Sequence, residues 1–262
     1  MDEEEIEATK APLMDHLMEL RTRLLWTLVA FAVAFVGCYV FAEPIYGMLV
    51  HPLDAAFAGQ EGRRMIFTAL YEGFLTYVRV AFFGALCLTF PIAAIQVWKF
   101  VAPGLYRNER SAFFPYLVAT PVMFATGAMF VYFFVMPMAI QFFLSFETPG
   151  SAGGLPIQLE AKVGEYLDLI MALIFAFGLS FQLPIILTLM GHVGLISSDY
   201  LVEYRRYAIV IVFAIAAVIT PPDVLSQVGL AVPMLLLYEG SIWIIRAIER
   251  ARGRKVEEAS AE

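Results

Sequence analysis

Charged side chains are scarce in this sequence. They make up 16% of its 262 residues, whereas an ordinary soluble domain has about 25%. Hydrophobic residues make up 61%, which is more apolar surface than a soluble globule of this length can bury. This balance excludes a disordered chain, a collagen-like fibre and a secreted disulfide scaffold. It predicts an all-α, polytopic integral membrane protein.

Cysteine and histidine are also rare. Cys38 and Cys87 lie in apolar runs and form no CxxC pair, which predicts buried structural thiols. His16, His51 and His192 belong to three separate regions, and the sequence contains neither an HExxH zinc motif nor a glycine-rich phosphate loop. We therefore expect no metal, no cofactor and no enzymatic activity.

Six apolar runs are candidates for membrane-spanning helices, each of which needs about 20 residues. They cover residues 24–41, 74–95, 113–146, 166–190, 207–219 and 228–245. The third run exceeds a bilayer core of about 30 Å at about 1.5 Å per residue, so its far end should tilt or project into water. The fifth run is short. Either its ends are misjudged, or the bilayer is thinned where something crosses.

Lysine and arginine give the orientation of these spans. With the N-terminus inside, thirteen of them lie in inside segments: Lys10, Arg21, Arg23, Lys99, Arg107, Arg110, Arg205, Arg206, Arg246, Arg250, Arg252, Arg254 and Lys255. Three lie outside, namely Arg63, Arg64 and Lys162, and Arg79 lies within a span. This bias places both termini in the cytoplasm. The first apolar run starts near residue 24 and is too long for a cleavable leader, so it is interpreted as an uncleaved first span.

The chain is expected to be a single membrane domain over residues 1–262. Residues 1–12 form an acidic cytoplasmic tail, residues 13–246 a six-helix core and residues 247–262 a charged cytoplasmic tail. The net charge of −7 does not indicate nucleic-acid binding, because much of it lies in the acidic ends DEEEIE and EEASAE. The outside connections are expected to be long loops over residues 44–73 and 148–165.

Polar side chains inside spans are costly and often functional. Gln182 is either a hydrogen-bonding contact between helices or a group for partner binding or transport. Glu239 is either a helix-packing acid or a proton-linked one. Several prolines in the spans bend helices, which can form a concave wall but does not identify a ligand.

Acidic residues lie beside basic ones on the predicted cytoplasmic face. Glu19 precedes the first span together with Arg21 and Arg23, and Glu109 lies in the loop between the second and third spans. Such acids either pair locally, which contributes little free energy, or receive a cationic ligand. An arginine ligand would suit them, because its planar guanidinium binds a carboxylate at two points.

Four strings of the sequence carry a family resemblance. They are HLMELRTRL (16–24), QVWKFVAPGLYRNER (96–110), YLDLIMALIFAFGLSFQLPI (166–185) and TPPDVLSQ (220–227). They occur in order within a six-span, N-inside pattern, and the resemblance covers about residues 13–246. On these strings the chain resembles the TatC family, the polytopic receptor subunit of the twin-arginine protein translocase.

The resemblance implies a function and a set of partners. The protein would bind twin-arginine signal peptides of folded precursors on the cytoplasmic face of the bacterial inner membrane. It would recruit TatA- and TatB-type single-span subunits near its fourth to sixth spans, self-associate in a receptor complex, and use the proton-motive force for export. The family fold implies six helices in a cupped, glove-like arrangement.

The resemblance also implies site residues. Glu19 and Glu109 match the family glutamates that contact the paired arginines, and Arg21 and Arg23 match the basic positions of the first motif. Matching loop positions linked to signal recognition are Phe100, Pro103 and Leu105. Positions linked to translocation or partner helices are Pro52, Asp223 and Gln182. Many members carry a glutamate where this chain has Gln182, so a proton-titrating role is not available there, whereas a polar contact to a partner helix is.

Two other function classes are alternatives. A small-solute or ion secondary transporter would show titratable groups at the midplane or repeated half-structures, and this sequence has few such groups and no visible repeat. An intramembrane serine protease would need a serine beside a histidine, but Ser180 and His192 would lie about 18 Å apart along one helix.

Overall fold

The computed structural model describes residues 3–58, 62–101, 113–148, 150, 155–219 and 224–261. This part of the chain forms ten α-helices and one π-helical turn and has no named strand. The helices are α1 (Glu3–Val40), α2 (Ala42–Phe57), α3 (Glu72–Val101), α4 (Phe113–Phe130), α5 (Met136–Leu144), α6 (Val163–Ser180), α7 (Leu183–Val193), α8 (Ser198–Glu203), α9 (Arg205–Ile219) and α10 (Val224–Ala261). The π turn, Val131–Val135, joins α4 to α5. The all-α prediction is confirmed.

Five helical runs in the described chain are long and apolar enough to cross a membrane. They are His16–Val40, Glu72–Phe100, Phe114–Leu144, Val163–Val193 and Gln227–Arg252. Each contains one of the predicted spans or most of it. The predicted fifth span falls on α9, whose 15 residues reach only about 22 Å. The chain is therefore a multi-pass membrane protein, and a sixth crossing by α9 stays a prediction.

The segment predicted as a long loop after the first span is helical in its first half. This helix, α2, turns Leu49 and Leu53 into the protein, where both side chains are almost fully buried. Their spacing of four residues gives α2 one apolar face. Pro44 and Pro52 conceal this period in the sequence, because proline ordinarily ends a helix. The loop prediction was wrong over these residues.

The described residues fall into two compact units. The first contains Met1–Tyr46 and Tyr77–Pro121, and the second contains Gly47–Thr76 and Val122–Glu262. In the first unit, Cys38 packs with Ala81 and Ala85, and the Phe31 and Phe82 rings meet edge to face with centroids 5.1 Å apart. Cys38 is buried and Cys87 half-buried, and neither forms a disulfide.

Small residues bring helices of the second unit close together. A Cβ atom on Gly127 of α4 would lie 2.7 Å from the Phe177 carbonyl oxygen of α6. A Cβ atom on Gly191 of α7 would lie 2.7 Å from the Ile245 side chain of α10. Glycine permits these approaches because it has no side chain, a common device between membrane helices.

The fourth predicted span is interrupted where its polar residue lies. Helix α6 ends at Ser180 and α7 starts at Leu183, with Gln182 between them. Pro184 lies in the first turn of α7, where its missing N–H removes no helical hydrogen bond. Helix α7 ends at Val193 and is followed by Gly194, whose φ of 82° is readily adopted only by glycine.

Candidate functional site

A groove in the first unit is lined by side chains of α1 and α3. Its volume is about 540 Å³, and its lining residues are Met18, Glu19, Thr22, Arg23, Trp26, Gln96 and Lys99. The α1 residues come from the string HLMELRTRL and the residues just after it, and the α3 residues come from QVWKF. The helical period explains this clustering, since positions 19, 22, 23 and 26 share one face of α1.

The Glu19 carboxylate is paired within its own helix. Arg23 donates its Nε–H to Glu19 Oε1 at 3.0 Å, and its Nη2 contacts the same oxygen. Arg23 Nη1 also donates to Gln96 Oε1 at 3.4 Å, which links α1 to α3. The Glu19 and Arg23 side chains are 34% and 22% exposed, so solvent screens the pair and its contribution to stability is small.

The second oxygen of Glu19 is placed differently. Oε2 lies 3.9 Å from His16 Nδ1, which is beyond hydrogen-bond distance. Among the described residues it accepts no hydrogen bond. A carboxylate has about four lone-pair sites, so Glu19 can keep Arg23 on Oε1 and still accept a second cationic donor.

Phe100 joins the site through an aromatic stack. Its ring lies on the His16 ring with centroids 4.1 Å apart and planes at 17°. This contact fixes the end of α3 against α1 beside Glu19. Arg21 is exposed on α1 and does not line the groove.

Four of the predicted site residues lie outside the described residues. These are Pro103, Leu105 and Glu109 in the connection after α3, and Asp223 before α10. Their roles stay predictions.

Gln182 is buried in the second unit. Its side chain is among the buried polar groups, and its Nε2 donates to the Gly178 carbonyl at 3.3 Å. An apolar groove of about 720 Å³ lies on the same unit, lined by α6, α7, α9 and α10 residues that include Leu179, Ser180 and Leu183. These neighbours of Gln182 face the groove, whereas Gln182 itself does not line it.

Glu239 forms an ion pair with Arg205. Its Oε1 lies 2.6 Å from Arg205 Nε, and its Oε2 accepts from Nη2 at 2.9 Å. The pair joins α10 to the first residue of α9, which favours the helix-packing interpretation of Glu239 over the proton-linked one.

Pro52 lies buried inside α2, beside a network that the sequence did not indicate. The Tyr132 hydroxyl donates to the Met48 carbonyl at 2.9 Å, and the Tyr166 hydroxyl donates to the Leu49 carbonyl at 2.9 Å. The available signal was Pro52 itself, because a proline inside a helix leaves the carbonyl four residues earlier without its usual donor.

A second cluster absent from the sequence predictions joins two connections of the second unit. Arg63 donates to both oxygens of Glu147 at 2.6 Å, and the Leu159 N–H donates to Glu147 Oε1 at 2.7 Å. The Arg63 guanidinium also lies over the Phe57 ring, 5.0 Å from its centroid. These hydrogen bonds, first that from Arg63, lower the pKa of Glu147 to about 2. The hydrogen bond to Glu147 raises the pKa of Arg63.

The chain matches a known family over most of its length. The family model for the Sec-independent protein translocase protein (TatC) matches residues 15–233. The chain belongs to the TatC family. A TatC of Magnetococcus marinus is 45% identical over 253 residues, covering 97% of this chain and 90% of the relative. The TatC of Escherichia coli (strain K12) is 36% identical over 247 residues, covering 94% and 92%.

A solved structure of a TatC, described as a twin-arginine translocase receptor, has the same fold. It superimposes with a TM-score of 0.75 at 32% identity and covers 89% of this chain and 99% of the other. The family resemblance drawn from the four strings is confirmed. TatC is a component of a protein translocase and not an enzyme, so this chain is a translocase subunit in the membrane.

Proposed function

We propose that this TatC is the receptor subunit that binds twin-arginine signal peptides of folded precursors. The groove between α1 and α3 is the proposed binding site, on the cytoplasmic face of the bacterial inner membrane, with both chain termini in the cytoplasm. The observation that carries this proposal is the Glu19 carboxylate, which has Arg23 on Oε1 and an available Oε2. A related TatC structure is described as a twin-arginine translocase receptor, which supports the assignment.

The chemistry of the site favours an arginine ligand. An incoming guanidinium would bind Glu19 Oε2 through charge-assisted hydrogen bonds, either beside Arg23 or in exchange with it. The existing pair is partly exposed and weak, so exchange costs little. Glu109 is proposed as the carboxylate for the second arginine, and Phe100, Pro103 and Leu105 are proposed as further positions of signal recognition. Arg23 positions Glu19, and Arg21 is proposed as an accessory basic position.

The apolar part of the signal peptide has a surface close to the groove. Exposed apolar side chains of α1 lie beyond Glu19 and Arg23, among them Leu24, Leu25, Trp26 and Leu28. They follow the charged site along the same helix into the span. A peptide with arginines followed by an apolar stretch therefore matches the order of charge and hydrophobicity along α1.

Later steps are proposed for the second unit. TatA- and TatB-type single-span helices would dock at the apolar groove of α6, α7, α9 and α10, next to Gln182. The short α9 would thin the bilayer locally, with Pro52 and Asp223 acting at the outer side. The complex would self-associate and use the proton-motive force. The whole chain would act as one membrane domain, with cytoplasmic tails at residues 1–12 and 247–262.

Site-specific photocrosslinking tests the receptor site. A photoreactive residue replaces Met18 in the groove, and the matched control carries it at Leu195, an exposed position after α7 in the second unit. We expect the Met18 probe to capture a precursor with paired arginines and to lose it when both are changed to lysine, since an ammonium cannot match the guanidinium fork. Equal capture of both precursors would overturn the proposal.

Substitution of the carboxylate gives a second test. Glu19→Gln removes the charge and keeps the side-chain shape, so we expect signal-peptide affinity to fall about tenfold or more, the loss for a charged hydrogen bond. Glu165→Gln is the matched control, because Glu165 is an exposed acid paired with Lys162 in the second unit. Affinity measured by fluorescence anisotropy in nanodiscs should be unchanged there. Unchanged affinity in Glu19→Gln would assign the site elsewhere.

A further inference from the structure

Pro52 leaves a carbonyl of α2 without its usual partner. In an α-helix the carbonyl of residue 48 accepts the N–H of residue 52, four positions on. Proline has no N–H, and its ring also crowds that carbonyl. An internal proline therefore disrupts a helix unless the surrounding protein compensates.

A hydroxyl from another element takes the place of the missing donor. Tyr132, 84 residues away in the chain, donates its hydroxyl to Met48 O at 2.9 Å. Tyr166, in the first turn of α6, donates to the adjacent carbonyl of Leu49 at 2.9 Å. Both bonds lie within the second unit, so they join α2 to the π turn and to α6.

The π turn helps to aim Tyr132. Val131 and Val135 are buried and anchor the turn, whereas Tyr132 is half-buried. A π turn carries an additional residue and changes the direction of its side chains relative to a regular helix. Val131 and Val135 therefore face the core while the neighbouring hydroxyl reaches the backbone of α2.

The Tyr132–Met48 bond also borders a groove. The groove measures about 690 Å³, and its lining residues include Met48 and Pro52 from α2, Tyr132 from the π turn and Pro137 from α5. The Tyr132–Met48 hydrogen bond therefore connects α2 to the π turn at the edge of this groove. Its loss would free α2 to move relative to the π turn and change the width of the groove.

We propose that Tyr132 is a positioning residue whose hydroxyl replaces the N–H missing at Pro52, and that Tyr166 supports it at the next carbonyl. Together they fix the course of α2 and the width of the groove during export. The link to export rests on the proposed function, in which Pro52 acts at the outer side. The hydrogen-bond compensation itself does not depend on that function.

A double-mutant cycle tests the compensation. Tyr132→Phe and Pro52→Ala are made singly and together, and Tm is measured on protein purified in nanodiscs. In the parent chain we expect Tyr132→Phe to lower Tm by about 2–4 °C, the shift expected for one lost hydrogen bond. In the Pro52→Ala background the N–H of residue 52 donates to the Met48 carbonyl. Tyr132→Phe should therefore lower Tm there by less than half as much as in the parent chain.

Tyr166→Phe is the matched control for this cycle. It also removes one hydroxyl that donates to an α2 carbonyl. Leu53, four residues after Leu49, keeps its N–H in both backgrounds, so the cost of Tyr166→Phe should be the same in the parent chain and in the Pro52→Ala variant. If Pro52→Ala expresses poorly, Pro52→Leu supplies the same N–H.

Export of a twin-arginine precursor into inverted membrane vesicles is the second readout. Tyr132→Phe and Pro52→Ala should each slow export, and the double variant should be no slower than Pro52→Ala alone.

An equal fall in Tm on Tyr132→Phe in both backgrounds overturns the compensation. Coupled Tm values with unchanged export overturn the positioning role. Absence of export in the parent chain, with coupled Tm values, overturns the proposed function and leaves the compensation standing.

Discussion

The Glu147 carboxylate is held by three hydrogen bonds, two from Arg63 and one from the Leu159 N–H. They keep its pKa at about 2, below the ordinary value of 4.5. A carboxyl with a lowered pKa in the folded state stabilises the fold above its ordinary pKa, and this contribution disappears as the pH falls through the folded pKa. The pH window for this cluster therefore runs from about 4.5 down to about 2.

We predict that Glu147→Gln lowers Tm at pH 7 by a few degrees, because the amide cannot pair with the Arg63 charge. The difference in Tm between the parent and the variant should shrink between pH 4.5 and about 2, where the parent carboxylate becomes protonated. Differential scanning fluorimetry at constant ionic strength measures it. Glu165→Gln, which alters an exposed pair, should change Tm little. A difference for Glu147→Gln that is constant over this window would contradict the prediction.

Single residues were predictable from the sequence where a motif named them. Glu19 stood out because it lies in HLMELRTRL, and the structure places it in a groove with Gln96 of the second motif. The Arg63–Glu147 pair was not predictable, since 84 residues separate its members and no pattern joins them. The tyrosine hydroxyls at α2 were missed for the same reason, because the sequence shows a proline without showing which distant side chain compensates for it.

Helix contacts in the second unit depend on glycines at particular positions. We predict that Gly127→Ala destabilises the protein by about 1–3 kcal/mol, because the new methyl group would lie 2.7 Å from the Phe177 carbonyl oxygen and force α4 and α6 apart. This cost exceeds the gain of up to about 1 kcal/mol that alanine brings to a helix interior. The measurement is equilibrium unfolding in mixed micelles.

Gly229→Ala on α10 is the matched control. Among the described residues, no other group lies within 4 Å of a Cβ atom at that position, so only the helix propensity changes and stability should stay the same or rise. Equal losses in Gly127→Ala and Gly229→Ala would show that glycine is not required for the α4–α6 approach.

Whole helices were predicted well where the length of an apolar run indicates a membrane-spanning helix. The long apolar runs became α1, α3, α4–α5, α6–α7 and α10. The ends of the helices were harder to predict, because α1 and α10 continue through charged sequence, where hydropathy indicates no helix boundary. The break between α6 and α7 lies at Gln182 and Pro184, two residues that stand out in the sequence of this span. The sequence did not show that the helix begins again at Leu183.

The number of crossings decides the position of the C-terminus. Five described runs satisfy the length needed for a span, and α9 with 15 residues does not. With the N-terminus in the cytoplasm, five crossings would place the C-terminus outside and six would return it to the cytoplasm. The lysine and arginine distribution favours six.

We predict that green fluorescent protein fused after residue 262 fluoresces, because it folds in the cytoplasm. Lys162→Cys should react with a membrane-impermeant maleimide in intact cells, since the proposed topology places this position in an outside connection. The parent chain with only Cys38 and Cys87 is the control for background labelling. A dark fusion together with labelled Lys162→Cys would show that α9 does not cross the membrane.

The π turn at Val131–Val135 has a consequence for how TatC sequences vary in length. Such a turn holds one residue more than a regular helical turn, so losing one there restores the regular turn without rotating α5 about its axis. The same deletion within α4 would rotate everything after it by about 100°. Phe133 and Phe134 are both exposed, so neither is needed to fill the core. Relatives one residue shorter at this turn can therefore keep the same buried faces on α4 and α5, and natural gaps should be accommodated here.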